Sequence, residues 1–321
     1  MINNKLLDIK DKKILYELDI NARNSISKIA KRVGLSKEVV NYRIKNLEIS
    51  KIITGYHTII NFWKLGYKTI RVYLQLIDIS LEDKQKLVNY LIKESQVIFI
   101  LKTESEYEIG FGILVTDFIS FEIFFNKVEL QFKKFILKKQ ISIYTYIYNF
   151  HRKYLLVNNK EQLLPIVISE CQKVIYDNLD INILKLMAGD ARISLLDIAL
   201  KLNISPRTIS YRIKQLEKKE IIRGYRAILN VDKINYQSYK IDIILNDIND
   251  LKKLISYCYS IKYTVFIVQT VNSVDLEFGI EVPSKIELIK IISEIKSKYK
   301  GIRTINYFSM MEYEKYVYFF K

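Results

Sequence analysis

Cysteine, proline, glycine and histidine are all scarce in this chain. Its two cysteines in 321 residues, Cys171 and Cys258, make no CxxC pair and no disulfide framework, so a reducing compartment is expected. Three prolines and nine glycines exclude collagen-like and low-complexity chains. The only histidines are His57 and His151, and neither sits in a recognisable catalytic string. No His/Cys metal spacing, Gly-rich phosphate loop or Ser-His-Asp arrangement stands out, so no metal, no cofactor and no catalytic residue is expected. No uncharged apolar run approaches the ~18 residues of a membrane span, and the opening MINNKLLDIKDKK lacks the apolar core of a signal peptide. The expected setting is the cytoplasm, without membrane contact.

What is present is apolar and basic. At 50% hydrophobic and 12% aromatic the chain is far too apolar for a disordered tail, and its length suits two or three domains. Lys and Arg number 51 against 35 Asp and Glu, a formal charge of +16. The chain also repeats itself. Asp11–Asn61 aligns without a gap on Asp180–Asn230, with 21 of 51 positions identical. Further on, VIFILKT (Val97–Thr103) matches TVFIVQT (Thr264–Thr270). Residues 1–61 carry 12 basic against 6 acidic side chains, and residues 172–230 carry 11 against 6, so these two segments hold most of the excess. Charge concentrated on small modules is the footprint of nucleic-acid contact.

Each repeated segment reads as three helices and a wing. In the first, Ile14, Leu15 and Leu18 share a helical face, and Ser25 caps a helix with Ile26, Ile29, Ala30 and Val33 inward. Gly34 breaks that helix, and Ser36 caps another with Val40, Ile44 and Leu47 on one stripe. Ile52–Asn61 is expected to be a two-stranded wing bent around Gly55. The second copy places Asn203 at the turn and Ser205-Pro206 at the helix start, and rebuilds the stripe with Ile209, Ile213 and Leu216. Two short helices joined by a tight turn match the helix-turn-helix, whose last helix enters the major groove.

The ordered string L-D-x-x-D, I-L, N-A-R, S, I-A, G-L-S, V, R-I-x-x-L-E, I-I-x-G-Y, met from Leu7 to Tyr56 and more loosely from Asp177 to Tyr225, resembles the N-terminal signature of the leucine-responsive regulator (Lrp/AsnC) family. The resemblance implies a transcription regulator that binds double-stranded DNA as a dimer. After each wing the strand-helix-strand-strand-helix-strand order reads as a ferredoxin-like βαββαβ module, the family's RAM-type sensor, which pairs face to face with a partner copy and takes effectors at module interfaces. The expected fold class is α+β, in two tandem units: winged helix 1 over 1–61, sensor 1 over 62–157, a linker over 158–173, winged helix 2 over 174–230 and sensor 2 over 231–321. The two units are expected to form an intramolecular pseudo-dimer, with a further association of chains left open.

Candidate base readers are Lys37, Glu38 and Asn41 in the first copy and Arg207, Thr208 and Ser210 in the second, beside the caps Ser36 and Ser205. Lys45, Lys51, Lys214, Arg223 and Arg226 are candidate phosphate contacts. Arg43 and Arg212, at the family's helix arginine, either touch phosphate or pair with an acid such as Glu48 or Glu217. Tyr42 and Tyr211 are expected to pack beside the helix. In the sensor loops, Ser105 with Glu108 and Asn272 with Asp275 stand where the family has a Gly three residues before an Asp. They are the candidate effector contacts, and the missing Gly counts against amino-acid sensing. Two other classes compete with the DNA-binding regulator: an Lrp-like tetrapyrrole (siroheme-type) decarboxylase and a winged-helix protein adaptor. The expectation is that the chain is not an enzyme.

Overall fold

A computed structural model describes residues 7–156, 163–169, 171–272 and 274–316. The first copy opens with α1 (Ile9–Ile20), α2 (Ile26–Val33) and α3 (Lys37–Ile49), each started by a side chain that accepts a backbone N–H: Asp8, Ser25 and Ser36. Gly34 ends α2 in the left-handed region at φ +69°. The strand β1 (Ile53–Ile60) follows. Sensor 1 is β2 (Lys68–Leu76), α4 (Leu81–Lys93), β3 (Val97–Glu104), β4 (Ile109–Val115), α5 (Phe118–Phe132) and β5 (Ile136–Asn149).

A short strand β6 (Ile166–Ser169) starts after Pro165 and pairs with the end of β5. The expected linker thus contributes to the sheet, while its residues 158–162 and 170 lie outside the described residues. The second copy repeats the order with α6 (Asn178–Gly189), α7 (Leu195–Leu202), α8 (Pro206–Lys218) and β7 (Ile222–Leu229). Asn203 takes the glycine's place at φ +54°. Sensor 2 is β8 (Gln237–Leu245), α9 (Leu251–Ser260), β9 (Thr264–Val271), β10 (Leu276–Val282), α10 (Lys285–Lys298) and β11 (Ile302–Tyr316).

The two sensor sheets close on each other. Antiparallel pairing runs β2-β4-β3-β11-β8-β10-β9-β5 and returns to β2 through the β2–β5 ladder, so eight strands close into a barrel in which β11 and β5 each pair with one sheet along their first half and with the other along their second. Alternation sorts each strand. Ile70, Val72 and Leu74 face α4 and α5 outside, while Arg71 and Tyr73 face the other sheet. The same alternation on β8 sends Ile241 and Ile243 outward and Lys240 and Asp242 inward. The winged helices pack crosswise. One apolar cluster joins α1–α3 to the outer face of sensor 2, and another joins α6–α8 to Phe62, Leu65, Ile98 and Leu114 of the first unit.

The wing expectation is corrected. Ile53–Ile60 is one strand, and it pairs antiparallel with β7 of the other copy, with Tyr56 opposite Ala227 and Thr58 opposite Tyr225. The segment carries no turn pair that could fold it back, so its backbone groups find partners on the other copy. Gly55 marks only a register shift in that ladder. Cys258 is buried in α9 and Cys171 is half-buried, and burial pushes the Cys258 thiol up to about 12. Among the described residues no helix is long and apolar enough to cross a membrane.

Candidate nucleic-acid interface

The outward faces of α3 and α8 are open. Lys37, Glu38, Asn41 and Lys45 are exposed on α3 and Arg207, Thr208 and Lys214 on α8, with Ser210 half-buried. Lys51, exposed just past α3, sits at φ +58°. Within the described residues no ion pair engages Lys37, Lys45, Lys51, Arg207 or Lys214. Ser36 and Ser205 spend their hydroxyls on the helix starts, accepting from Val39 N at 3.3 Å and Thr208 N at 3.1 Å. Tyr42 and Tyr211, expected to pack, instead project into solvent at 65% and 59% exposure and belong to the same outward surface.

Four of the candidate arginines are engaged within the chain. Arg43 is held by Asp8 and Asp11 at 2.6 and 2.8 Å, and its counterpart Arg212 by Asp177 and Asp180 at 2.8 and 3.3 Å. Each pins its recognition helix to the start of the first helix of the same copy, so the ion-pair alternative holds with different acids from those expected. Glu48 and Glu217 instead accept the hydroxyls of Tyr56 and Tyr225 at 2.6 and 2.7 Å. Arg223 is tied to Glu220. Arg226 is buried, its guanidinium 2.5 Å from Asp19 of α1, and a phosphate cannot reach it.

The sensor-loop residues also spend their polar atoms on the chain. Glu108 accepts Leu76 N at 3.1 Å and Lys84 Nζ at 3.2 Å; Asp275 accepts Leu245 N at 2.7 Å. Both carboxylates thus hold the end of the first sensor strand. Ser105 Oγ accepts from Tyr107 N at 3.1 Å and donates to Tyr107 O. Asn272 donates to Ser142 Oγ at 2.8 Å and to Glu277 at 2.9 Å.

The signature residues lock the two copies together. Arg23 lies over the Tyr225 ring at 5.5 Å and donates to Ala191 O at 2.6 Å; Arg192 lies over Tyr56 at 5.1 Å. Backbone bonds join the same pairs, Ala22 N to Tyr225 O and Ala191 N to Tyr56 O. The A-R of each copy therefore grips the G-Y of the other, whose tyrosine hydroxyl binds the L-E of its own recognition helix. This chain of contacts sets the two recognition helices relative to each other. Burial and the glutamate raise both tyrosine pKa values.

Two buried ion clusters escaped sequence reading. Inside the barrel, Glu277 meets Arg71 at 2.5 Å and Lys240 at 2.5 Å, and Lys240 also meets Asp242 at 2.5 Å. Burial would raise the Glu277 carboxyl, but Arg71 and Lys240 outweigh it and hold it far below the usual range. Between α1, β7 and β10, Asp19 takes Arg226 and Arg152, while Arg152 also reaches Glu281 at 2.9 Å. Asp19 is likewise held far below its usual value, because the two guanidiniums overcome its burial. The visible signal was a charge at an inward position of an apolar strand, as in I-R-V-Y-L (Ile70–Leu74) and Y-K-I-D-I (Tyr239–Ile243).

Residues 7–48 match the AsnC-type helix-turn-helix domain, and residues 176–223 match the winged helix-turn-helix DNA-binding family. An HTH-type transcriptional regulator of Methanocaldococcus jannaschii is 33% identical over 103 residues, 32% of this chain and 68% of that protein. The chain belongs to the Lrp/AsnC family of transcription regulators. An uncharacterised HTH-type regulator of Pyrococcus furiosus is 26% identical over 129 residues, 40% of this chain and 83% of its own length. Among solved structures, the siroheme decarboxylase NirDL matches 97% of this Lrp/AsnC chain and 93% of its own chain, at TM-score 0.63 and 14% identity.

That likeness is one of fold, and it corrects the expectation that the chain is not an enzyme. The tandem architecture is one on which an enzyme is built. This fold brings together residues as distant in sequence as Arg71 and Glu277, so a site built on it need not lie in a contiguous string.

Proposed function

We propose that this Lrp/AsnC chain binds double-stranded DNA through α3 and α8, two unlike readers held at fixed spacing by the Arg23–Tyr225 and Arg192–Tyr56 contacts. The carrying observation is the contrast within each recognition helix. The family's helix arginine is consumed by an internal ion pair, while Lys37, Asn41 and Lys45 on α3 and Arg207, Thr208 and Lys214 on α8 stay exposed. Lysine and arginine near the helix ends neutralise phosphates, and the side chains at the helix starts meet base edges. Because those side chains differ between the copies, the operator has two unlike half-sites about one helical turn apart.

The test is a salt-dependent mobility shift with selected DNA. Arg207→Ala with Lys214→Ala is expected to weaken binding and lower the salt slope by about 1–2. An unchanged slope, or selection of a perfect palindrome, would refute the assignment. A second reading, tetrapyrrole decarboxylation, is favoured by the whole-chain fold likeness alone. Absorbance changes on incubation with an iron tetrapyrrole, with release of carbon dioxide, would carry it.

A further inference from the structure

The two units are equivalent in fold but opposite in buried charge. Register identifies the counterparts: Arg71 faces Gly112 as Lys240 faces Gly279, and Tyr73 faces Gly110 as Asp242 faces Glu277. Both units therefore point a cation into the barrel, but only the second supplies acids. In the first unit the acid positions hold the Tyr73 ring lying over Gly110, where a Cβ would meet the ring at 2.3 Å. The wing layer repeats the pattern with the roles exchanged. Asp19 of the first unit binds Arg226 of the second, while the repeat places Ala188 and His57 at the matching positions.

We infer that these clusters are a pairing code: each unit accepts the unlike unit across the barrel and rejects a copy of itself. A pair of first units would bury two Arg71 side chains in the barrel with no acid from either Tyr73 or Gly110. A pair of second units would bury two Glu277 and two Asp242 against two Lys240. It would also leave each Arg226 facing Ala188 in place of Asp19. Only the unlike pair balances two cations against two acids in the barrel and gives Arg226 its carboxylate. Uncompensated buried charge is among the largest penalties a fold can carry, so the discrimination is built into the interior and does not rest on the linker. The partner this barrel face fits is the opposite unit, from the same chain or from a second copy of it.

Cutting the linker tests the code on folded protein. A protease site inserted between Leu156 and Leu163 is cleaved after purification of the full chain. The cut protein is mixed with isotope-labelled cut protein, and native mass spectrometry reads the pairs that form. Labelled and unlabelled halves are expected to exchange into N-terminal with C-terminal pairs alone; pairs of two N-terminal or two C-terminal halves would overturn the proposal.

If the halves hold too tightly to exchange, the intact chain decides. Asp242→Tyr with Glu277→Gly recreates the cation-only interior of a like pair, and adding Arg71→Met and Lys240→Met removes the cations. The charge-free variant is expected to melt at least ~5 °C above the cation-only one. Equal melting temperatures would overturn the code.

Discussion

Asp19 is a buried carboxylate on which two guanidiniums converge. It is fully buried in α1 and accepts from the Arg226 guanidinium at 2.5 and 3.1 Å, the Arg152 guanidinium at 2.7 Å and the Arg152 backbone N–H at 2.9 Å. Asp19→Asn keeps the volume and removes the charge. Arg152 retains Glu281, but Arg226 has no second acid among the described contacts. The loss is therefore that of one stranded buried cation, about 3–4 kcal/mol. Whole-domain stability is of order 5–15 kcal/mol, so the variant should lose a large share of it. Its melting temperature should fall by roughly 6–12 °C.

The measurement is a pair of urea titrations at pH 7, read as a change in midpoint at constant slope. The repeat supplies the control, because Asp19→Ala with Arg226→His installs the residues found at the matching positions, Ala188 and His57. That double variant should be more stable than Asp19→Ala alone by at least ~1 kcal/mol, since replacing both members of a buried pair costs less than stranding one. A loss below ~1 kcal/mol for Asp19→Asn, or no recovery in the double variant, would refute the assignment of Asp19 as the counter-charge of Arg226.

Three further outcomes are expected. Asp19 and Glu277 both titrate in the folded chain below their ordinary values, so each adds stability that is complete at neutral pH and is lost as pH falls through about 4 toward the depressed value; Asp19→Asn should flatten the dependence of the urea midpoint between pH 5 and pH 2, and an unchanged dependence would count against it. A double-mutant cycle of Arg23→Ala with Tyr225→Leu should return a coupling of about 0.5–1 kcal/mol, and additive losses would deny the cross-copy contact. Gly279→Ala should destabilise by about 1–3 kcal/mol, because the new Cβ would lie 2.0 Å from the Phe266 ring; a neutral result in thermal melts would show that the ring can move aside.

The elements were legible because their periodicities are local. Ser25, Ser36 and Ser205 cap helices whose apolar stripes stand in the sequence, and the sensor strands alternate cleanly. The pairing of elements was less legible, because strand partners depend on distant backbone groups. Ile53–Ile60 reads as a wing by analogy with a local hairpin, yet its hydrogen bonds go to residues about 170 positions away. The site suffered from the same blindness. Arg207 and Arg226 look equally basic in sequence, and only the opposing carboxylate of Asp19 separates an exposed cation from a buried one.

The repeated signature takes on a different meaning in this light. The residues that recur most faithfully between the copies, A-R, R-I-x-x-L-E and G-Y, invite a reading as DNA contacts because they cluster on and around the recognition helix. Their side chains instead join each reader to its own first helix through Arg43 and Arg212, and each copy to the other through Arg23, Arg192, Tyr56 and Tyr225. Much of the identity between the copies thus follows the scaffold, which needs the same geometry twice, while Tyr42 with Tyr211 and Lys45 with Lys214 are shared on the open face. The positions that differ, Lys37 against Pro206, Glu38 against Arg207 and Asn41 against Ser210, fall at the start and on the outward side of the helix, as the proposed reading of two unlike half-sites requires.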